Sequence, residues 1–315
     1  MVTFSAVVPN YNDSATLPKA LDSLLAQTSP LDEIIVVDDA STDDGKSRSI
    51  IEAYVAKHPS LIKFIQNPKN LGVIGTINTG TDAATSDFIL MCSSNDWYAP
   101  REIEICRTMV EKYPGINMVC GNAATWDEAR GKPGDSLILT FPQVEKRYTP
   151  AEYIAHSRRA TTYFNGGAVA MKRTRVLEYN KLIPDLRWHS DLMLYLLFAY
   201  NDDFVFVPEI FSTCRLEKTK SLSHGRFNWS AQKQVTSAML RLFKEKYPLQ
   251  GKMARESAML PKYNFSNIWL LLKPEFMWYI TPLLLWRIGI HSMFYWMRQR
   301  IPRGLITAIR PYFRV

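Results

Sequence analysis

The feature that most constrains this chain is a unit repeated through its first 115 residues. A short, almost continuous apolar run stops abruptly in polar residues, and a stretch with helical period follows. TFSAVVP runs into Asn10, Tyr11, Asn12 and Asp13. Leu17, Ala20, Leu21, Leu24 and Leu25 then recur at helical spacing behind Ser14, a suitable N-cap. EIIVVDD is followed by SRSIIEAYVAKH, LIKFIQN by the glycine-entered GVIGTINTGTDAAT, and DFILMC by SSNDWYAP and then REIEICRTMVEKYP. Strands that are apolar throughout must be covered on both faces. Alternating with helices, they predict an α/β fold with a mostly parallel central sheet and helices on both sides.

Ligands of such sheets sit beyond the carboxyl ends of the strands. Three ends carry polar clusters here: Pro9 to Asp13, Asp38 to Asp43, and Ser94 to Asp96. One acid at a strand end is commonly a helix cap. Three clusters on one rim predict a polar ligand. From about 115 to 215 the pattern changes. INMVCGNAAT, GGAVAMK and DFVFVP read as strands, TPAEYIAHS and SDLMLYLLFAY as helices, and residues 228 to 247 as an amphipathic helix.

Four cysteines with no CxxC pair predict buried thiols in a reducing compartment and no zinc site. The N-terminus enters a strand pattern without a basic n-region, so no signal peptide is expected. The net charge of +8 is concentrated at the other end. From Pro261 onward, Lys262, Lys273, Arg287, Arg298, Arg300, Arg303, Arg310 and Arg314 face Glu275 alone, and the same stretch holds four of the eight tryptophans.

Residues 7 to 45, VVPNYNDSATLPKALDSLLAQTSPLDEIIVVDDASTDDG, resemble the opening of a family 2 inverting glycosyltransferase of the GT-A fold. The likeness continues through NPKNLGVIGTINTG, SSNDWYAP, GGAVAMKR and WHSDLMLYL and covers roughly residues 1 to 215. It implies a Rossmann-like GT-A domain over 1–225, with a nucleotide-sugar half at 1–114 and an acceptor half at 115–225. A helical segment at 226–260 and a basic aromatic tail at 261–315 would follow. It also implies a nucleotide-sugar donor, a UDP-sugar favoured, and a glycan or lipid-linked saccharide acceptor. The setting it suggests is cell-surface polysaccharide synthesis.

The resemblance assigns Asp39 to the base, Pro9 and Tyr11 to the base and ribose pocket, and Lys69 and Asn78 to the donor around the Gly72 turn. Ser94, Asn95 and Asp96 fall on the fourth strand end, where the family's last acid ligates a divalent metal. Asn95 occupies that ligand position, with Asp96 as the neighbouring acid. An amide brings an oxygen but no charge. Three readings follow: a weakened Mg²⁺ or Mn²⁺ site on Asn95 and Asp96, leaving-group stabilisation by basic residues instead, or lost activity. Arg215, Lys218, Lys220 and His224 resemble a loop that closes on the donor phosphates, although the histidine often found near Glu217 is absent. A solvated basic loop is the plain alternative.

Asp191 matches the catalytic base, which takes the acceptor's proton in a single displacement. An acid favoured by a helix N-terminus is the other reading. Gly166 and Gly167 would let backbone approach a sugar. Trp188 and His189 fall on the acceptor side, where Trp188 either stacks on sugar or sits in the core. Between Phe276 and Met297 only Arg287 is charged, but Pro282, Arg287 and His291 interrupt a span. Interfacial helices suit the mixture of aromatic and basic residues, with a homodimer or partner surface and a true span as rivals, and the resemblance implies the cytoplasmic face of the membrane. Nucleic acid is not expected as a partner. Two rival functions remain: a polyprenol-phosphate sugar transferase, and a degenerate GT-A protein that binds sugar nucleotides or scaffolds without turnover.

Overall fold

A computed structural model describes residues 1–134, 141–216 and 228–298. In chain order the elements begin with β1 (Phe4–Asn10), α1 (Leu17–Leu25), β2 (Glu33–Asp38), α2 (Lys46–Lys57), β3 (Ile62–Gln66), α3 (Gly72–Ala83) and β4 (Phe88–Met91). Then come β5 (Trp97–Tyr98), α4 (Glu102–Lys112), β6 (Met118–Asp127), β7 (Lys132–Pro133), β8 (Lys146–Tyr148), α5 (Pro150–Ser157), β9 (Val169–Lys172) and α6 (Arg173–Glu178). The described elements end with α7 (Ser190–Asn201), β10 (Phe204–Leu216), α8 (Trp229–Glu245), α9 (Pro248–Glu256), α10 (Ser266–Leu271) and α11 (Pro282–Arg298).

Two compact units interleave along the chain. The first comprises Met1–Tyr148, Phe164–Pro184 and Asp202–Lys220, and the second Thr149–Tyr163, Asp185–Asn201 and Ser221–Val315. The segments holding α5 and α7 therefore group with the C-terminal helices and not with the strands that flank them in sequence.

All described strands lie in the first unit, in the order β3-β2-β1-β4-β9-β6-β10-β5, with β7 on β6 and β8 on β10. The first four are parallel, and every residue of β1 and β2 is buried, as their unbroken apolar character requires. Beyond β4 the sheet is mixed. β9 runs antiparallel to both β4 and β6, and β10 lies parallel to β6 and antiparallel to β5. Alternate residues of β1 serve opposite faces. Phe4, Ala6 and Val8 join one core with Leu17, Leu21 and Leu24 of α1, Ile51 of α2 and Ile103 of α4. On the other face α3 lies so close that a Cβ on Gly80 would stand 2.4 Å from Val7 Cγ1. Only glycine permits that approach. α1 starts at Leu17 behind Thr16, not at Ser14, with a proline in its first turn.

Every regular element described in the second unit is a helix. α7 is buried from Leu192 to Tyr200, and Tyr200 Oη lies 2.8 Å from Ser257 Oγ just past α9. Arg287 of α11, expected from the sequence to interrupt a membrane span, is turned inward. It is 3 % exposed, and its guanidinium donates to the carbonyls of Ser157, Ser257 and Ala258. Among the described residues no helix is long and apolar enough to cross a membrane. Cys92, Cys106 and Cys120 are buried free thiols and Cys214 is half-buried.

Candidate active site

The ends of β1 and β2 are stitched into one surface. Asn10 donates from Nδ2 to Asp38 Oδ1 at 2.8 Å, and Ser41 donates its backbone N–H and its hydroxyl to the same carboxylate at 3.1 and 2.5 Å. Asn12 receives the Thr42 N–H at 2.7 Å and donates its own N–H to Ser41 Oγ at 3.0 Å. Asn12 and Ala40 both take left-handed backbone conformations, with φ of +57° and +56°. That conformation is unfavourable for an L residue without local hydrogen bonds. Pro9 is buried at the end of β1, and Tyr11 beyond it is 44 % exposed, leaving an aromatic ring free on this rim.

Asp39, assigned to the nucleotide base by resemblance, is 2 % exposed and spends its carboxylate inside the protein. Oδ1 accepts from Asn67 Nδ2 and from the Leu71 N–H, each at 2.8 Å, and Oδ2 accepts from the Gly72 N–H at 2.8 Å. The carboxylate caps the N-terminus of α3, where free N–H groups and the helix dipole favour an anion. Asn78 is likewise engaged: it receives the Leu182 N–H at 3.0 Å and donates to the Leu182 carbonyl at 2.9 Å. Lys69 is exposed, on the loop that Asp39 fastens.

At the end of β4, Ser94 donates its hydroxyl to Asp13 Oδ2 at 2.6 Å, which ties this end to the β1 loop. Tyr98 Oη accepts the Ser93 N–H at 2.7 Å. Burial lifts the Tyr98 phenol far above its usual range, so it stays neutral. Asp96 Oδ1 accepts the backbone N–H of Arg215 at 2.8 Å, while the Arg215 guanidinium pairs with Glu128 at 2.7 Å. Arg215 thus meets the rim through its main chain. Its side chain stands near Lys19, whose ammonium lies 3.1 Å over the Trp97 ring and is lowered in pKa by burial and then by the Arg215 charge. Lys218, Lys220 and His224 lie outside the described residues.

The ligand pair expected from the sequence, Asn95 and Asp96, offers a cation one carboxylate and one amide, both half-buried. Among the described residues no group of three or more His, Cys, Asp or Glu could hold an ion. That set suits a magnesium-type ion only where substrate phosphates and water supply the remaining ligands, a common arrangement for Mg²⁺. Gly167 has φ +77°, a conformation that favours glycine, and a Cβ there would meet Ser212 Oγ only at 3.6 Å. Backbone conformation, and not crowding, accounts for the second glycine. Gly166 beside it is exposed.

In the second unit Trp188, His189 and Asp191 surround the start of α7. Arg187 just before them has φ +46° and ψ −123°, a strained combination for a residue with a side chain. Trp188 donates its indole N–H to Gln232 Oε1 at 3.1 Å, and Gln232 Nε2 lies 3.1 Å from His189 Nε2. Asp191 Oδ1 accepts the Leu192 N–H at 2.7 Å. Burial pushes its carboxyl up to about 6, against the pull of backbone hydrogen bonds from Leu192 and Asp191. Sequence reading missed Gln232. The only available signal was a glutamine at a core position of an amphipathic helix, 1 % exposed in the structure. It also missed Lys19, which carries no motif.

Fold and rim together define an open-sheet α/β protein with polar loops gathered beyond the carboxyl ends of β1, β2 and β4, where such folds hold their ligands. Residues 5–179 match the family model described as Glycosyl transferase family 2, and the chain belongs to that family. A putative glycosyltransferase, EpsE of Bacillus subtilis, is 30% identical over 177 residues, covering 55% of this chain and 63% of that one. The chain spans less than two thirds of the length of the curated relatives it matches. Among solved structures, residues 1–349 of S. aureus TarS in complex with UDP align with a TM-score of 0.55 at 16% identity, covering 82% of this chain and 80% of that one. The mannosyltransferase PcManGT of Pyrobaculum calidifontis, in complex with GDP-Man and Mn²⁺, aligns with a TM-score of 0.54 at 16% identity over 92% and 86%. These likenesses show the GT-A fold that the sequence predicts.

Proposed function

We propose that the chain is an inverting glycosyltransferase. It moves a sugar from a nucleotide-diphosphate-sugar, a UDP-sugar by preference, to a glycan or lipid-linked saccharide in cell-surface polysaccharide synthesis, at the cytoplasmic face of the membrane. The observation that carries the reading is Asp191, whose carboxyl burial holds near pH 6 at the start of α7. A general base works best when its pKa lies near the working pH. In a single displacement the acceptor hydroxyl attacks the anomeric carbon, the bond to the diphosphate breaks, and Asp191 takes the hydroxyl proton.

The rim of β1, β2 and β4 receives the donor, with Pro9 and the exposed Tyr11 against the base and ribose. Asp39 shapes that pocket through the loop it fastens, and Lys69 on the same loop meets the donor. Asn95 and Asp96 would hold a divalent cation between them and the diphosphate, where its charge offsets the negative charge of the leaving group. Trp188 and His189 position the acceptor, and Gly166 and Gly167 let backbone approach a sugar. The UDP and GDP-Man complexes of TarS and PcManGT, and the Mn²⁺ of the latter, support this reading for a chain of the same fold.

One observation favours a second reading. A rim with a single carboxylate at the cation position also suits a degenerate binder of sugar nucleotides. Calorimetric titration with UDP, with and without Mn²⁺, on the wild type and Asp191→Asn separates the two. The enzyme reading expects UDP binding in both proteins and donor turnover in the wild type alone. UDP binding with no turnover of any sugar nucleotide in either protein would establish the binder instead.

A further inference from the structure

α11 is built the wrong way round for a helix facing water. Four of its exposed residues are Leu285, Trp286, Met293 and Trp296, which are 42, 48, 37 and 54 % exposed, while Tyr295, 59 % exposed, lies about 80° to one side of them. At 100° per residue, these four and Gly289 fall within about 100° of the helix circumference, over a length of about 17 Å. Arg287 and His291 of α11 take the opposite side. Arg287 is buried against three backbone carbonyls, and the His291 ring stacks 4.8 Å from that of Tyr263 with Nε2 3.3 Å from Thr161 Oγ1. A helix on an aqueous surface shows the reverse arrangement, and a contiguous exposed apolar patch of this kind marks a docking surface.

We propose that the outward stripe of α11 docks on an anionic lipid bilayer, with the helix axis lying along the membrane and its aromatic rings at the boundary between headgroups and acyl chains. The inference deepens the membrane-surface part of the proposed function and rests on it. Two observations choose lipid over a second copy of the chain. The stripe carries two tryptophans, the residue suited to that boundary. The sequence that follows holds Arg298, Arg300, Arg303, Arg310 and Arg314 with no acid after Glu275. Such a segment complements an anionic surface and repels its own twin. Among the described residues no helix qualifies as a span, which fits a helix lying in the interface.

The test is co-sedimentation of the full chain with large unilamellar vesicles of phosphatidylglycerol and phosphatidylcholine, and of phosphatidylcholine alone. The wild type should partition onto the anionic vesicles. A Leu285→Glu, Trp286→Glu, Trp296→Glu variant should lose about tenfold or more of that partitioning, since it puts charge where apolar area was buried. Val144→Glu, at a residue 58 % exposed in the first unit, should bind as the wild type does. Circular dichroism and UDP titration on the same preparations confirm folding and read the donor site separately. Equal binding by the stripe variant and the wild type overturns the proposal in favour of the basic segment alone. A wild type that ignores vesicles and forms a dimer abolished by the stripe variant overturns it in favour of a second copy. Retained UDP binding in either case leaves the donor reading standing.

Discussion

Trp188 and Gln232 are joined by a 3.1 Å hydrogen bond from the indole N–H to the amide oxygen, and the same amide lies 3.1 Å from His189 Nε2. One buried side chain on α8 thus fixes both residues that precede the proposed base. Gln232→Ala removes the acceptor of the Trp188 N–H and the partner of His189. It should cost about 1–2 kcal/mol of stability, the range for an unmade buried hydrogen bond. Its kinetic signature should be a raised acceptor KM with UDP affinity unchanged by calorimetry. A fall in UDP affinity of the same size would show that the clamp serves the donor instead.

Asp191 yields paired predictions for activity and stability. With a carboxyl near 6, kcat/KM should fall below that pH as the base takes up a proton. The folded pKa is raised above its ordinary value of 3.8, so the fold prefers the protonated form. The penalty is absent below about pH 4, grows as pH rises toward 6, and is then constant. Asp191→Asn should therefore be inactive yet more stable at pH 7 to 8, by about 2 kcal/mol once partial exposure is allowed for. Urea denaturation at pH 4 and pH 8 checks this: the two proteins should converge at the lower pH.

The first half of the fold was legible because local pattern and global fold agree there. Unbroken apolar runs such as EIIVVD cannot be half-exposed strands, and β2 is buried along its whole length. The antiparallel insertion of β9 between β4 and β6 was not legible, because VAMK is four residues with no feature that names its neighbours. The grouping of α5 and α7 with the C-terminal helices depends on long-range packing that periodicity does not encode. Motif reading assigned Asp39 and Arg215 to the donor, but gave no direction for their side chains. Both are engaged by protein partners, one by backbone N–H groups and the other by Glu128.

Asp39 therefore predicts a stability effect where a base contact alone would give a binding effect. Asp39→Ala takes the acceptor from the Leu71 N–H and leaves the Gly72 N–H with Asn70 Oδ1 at 3.0 Å and Asn67 Nδ2 with Thr76 Oγ1 at 3.4 Å. Hydrogen bonds to a charged group are worth about 1.5–3 kcal/mol each in such settings, so a loss of at least about 2 kcal/mol is expected. Asp39→Asn should recover part of it, since an amide oxygen still accepts. Chemical denaturation reads the result. An unchanged midpoint with abolished UDP binding would return Asp39 to direct recognition of the base.

Asn95→Asp adds the carboxylate that the rim lacks. If Asn95 and Asp96 hold the cation, the substitution should tighten Mn²⁺-dependent UDP binding by about tenfold, equivalent to about 1.4 kcal/mol, because hard cations prefer charged oxygen. UDP titrations at several Mn²⁺ concentrations measure the shift. UDP binding that ignores Mn²⁺ in both proteins would move the leaving-group role to basic residues.

Among the described residues no carboxylate pairs with the buried Arg287, whose charge is met by the carbonyl oxygens around the guanidinium. These carbonyls belong to Ser157 at the end of α5 and to Ser257 and Ala258 just past α9, so one side chain fastens α11 to two other helices of its unit. A methionine of similar length would fill the space but take the guanidinium from the Ser157 and Ser257 carbonyls, while the Ala258 carbonyl would keep the Tyr263 hydroxyl at 2.8 Å. Arg287→Met should lose about 3 kcal/mol in urea denaturation. Arg287→Lys should lose less, because an ammonium still donates, although it lacks the planar spread that reaches carbonyls on two elements. Equal losses for the two variants would mean that packing of the stem, and not the hydrogen bonds, holds α11 in place.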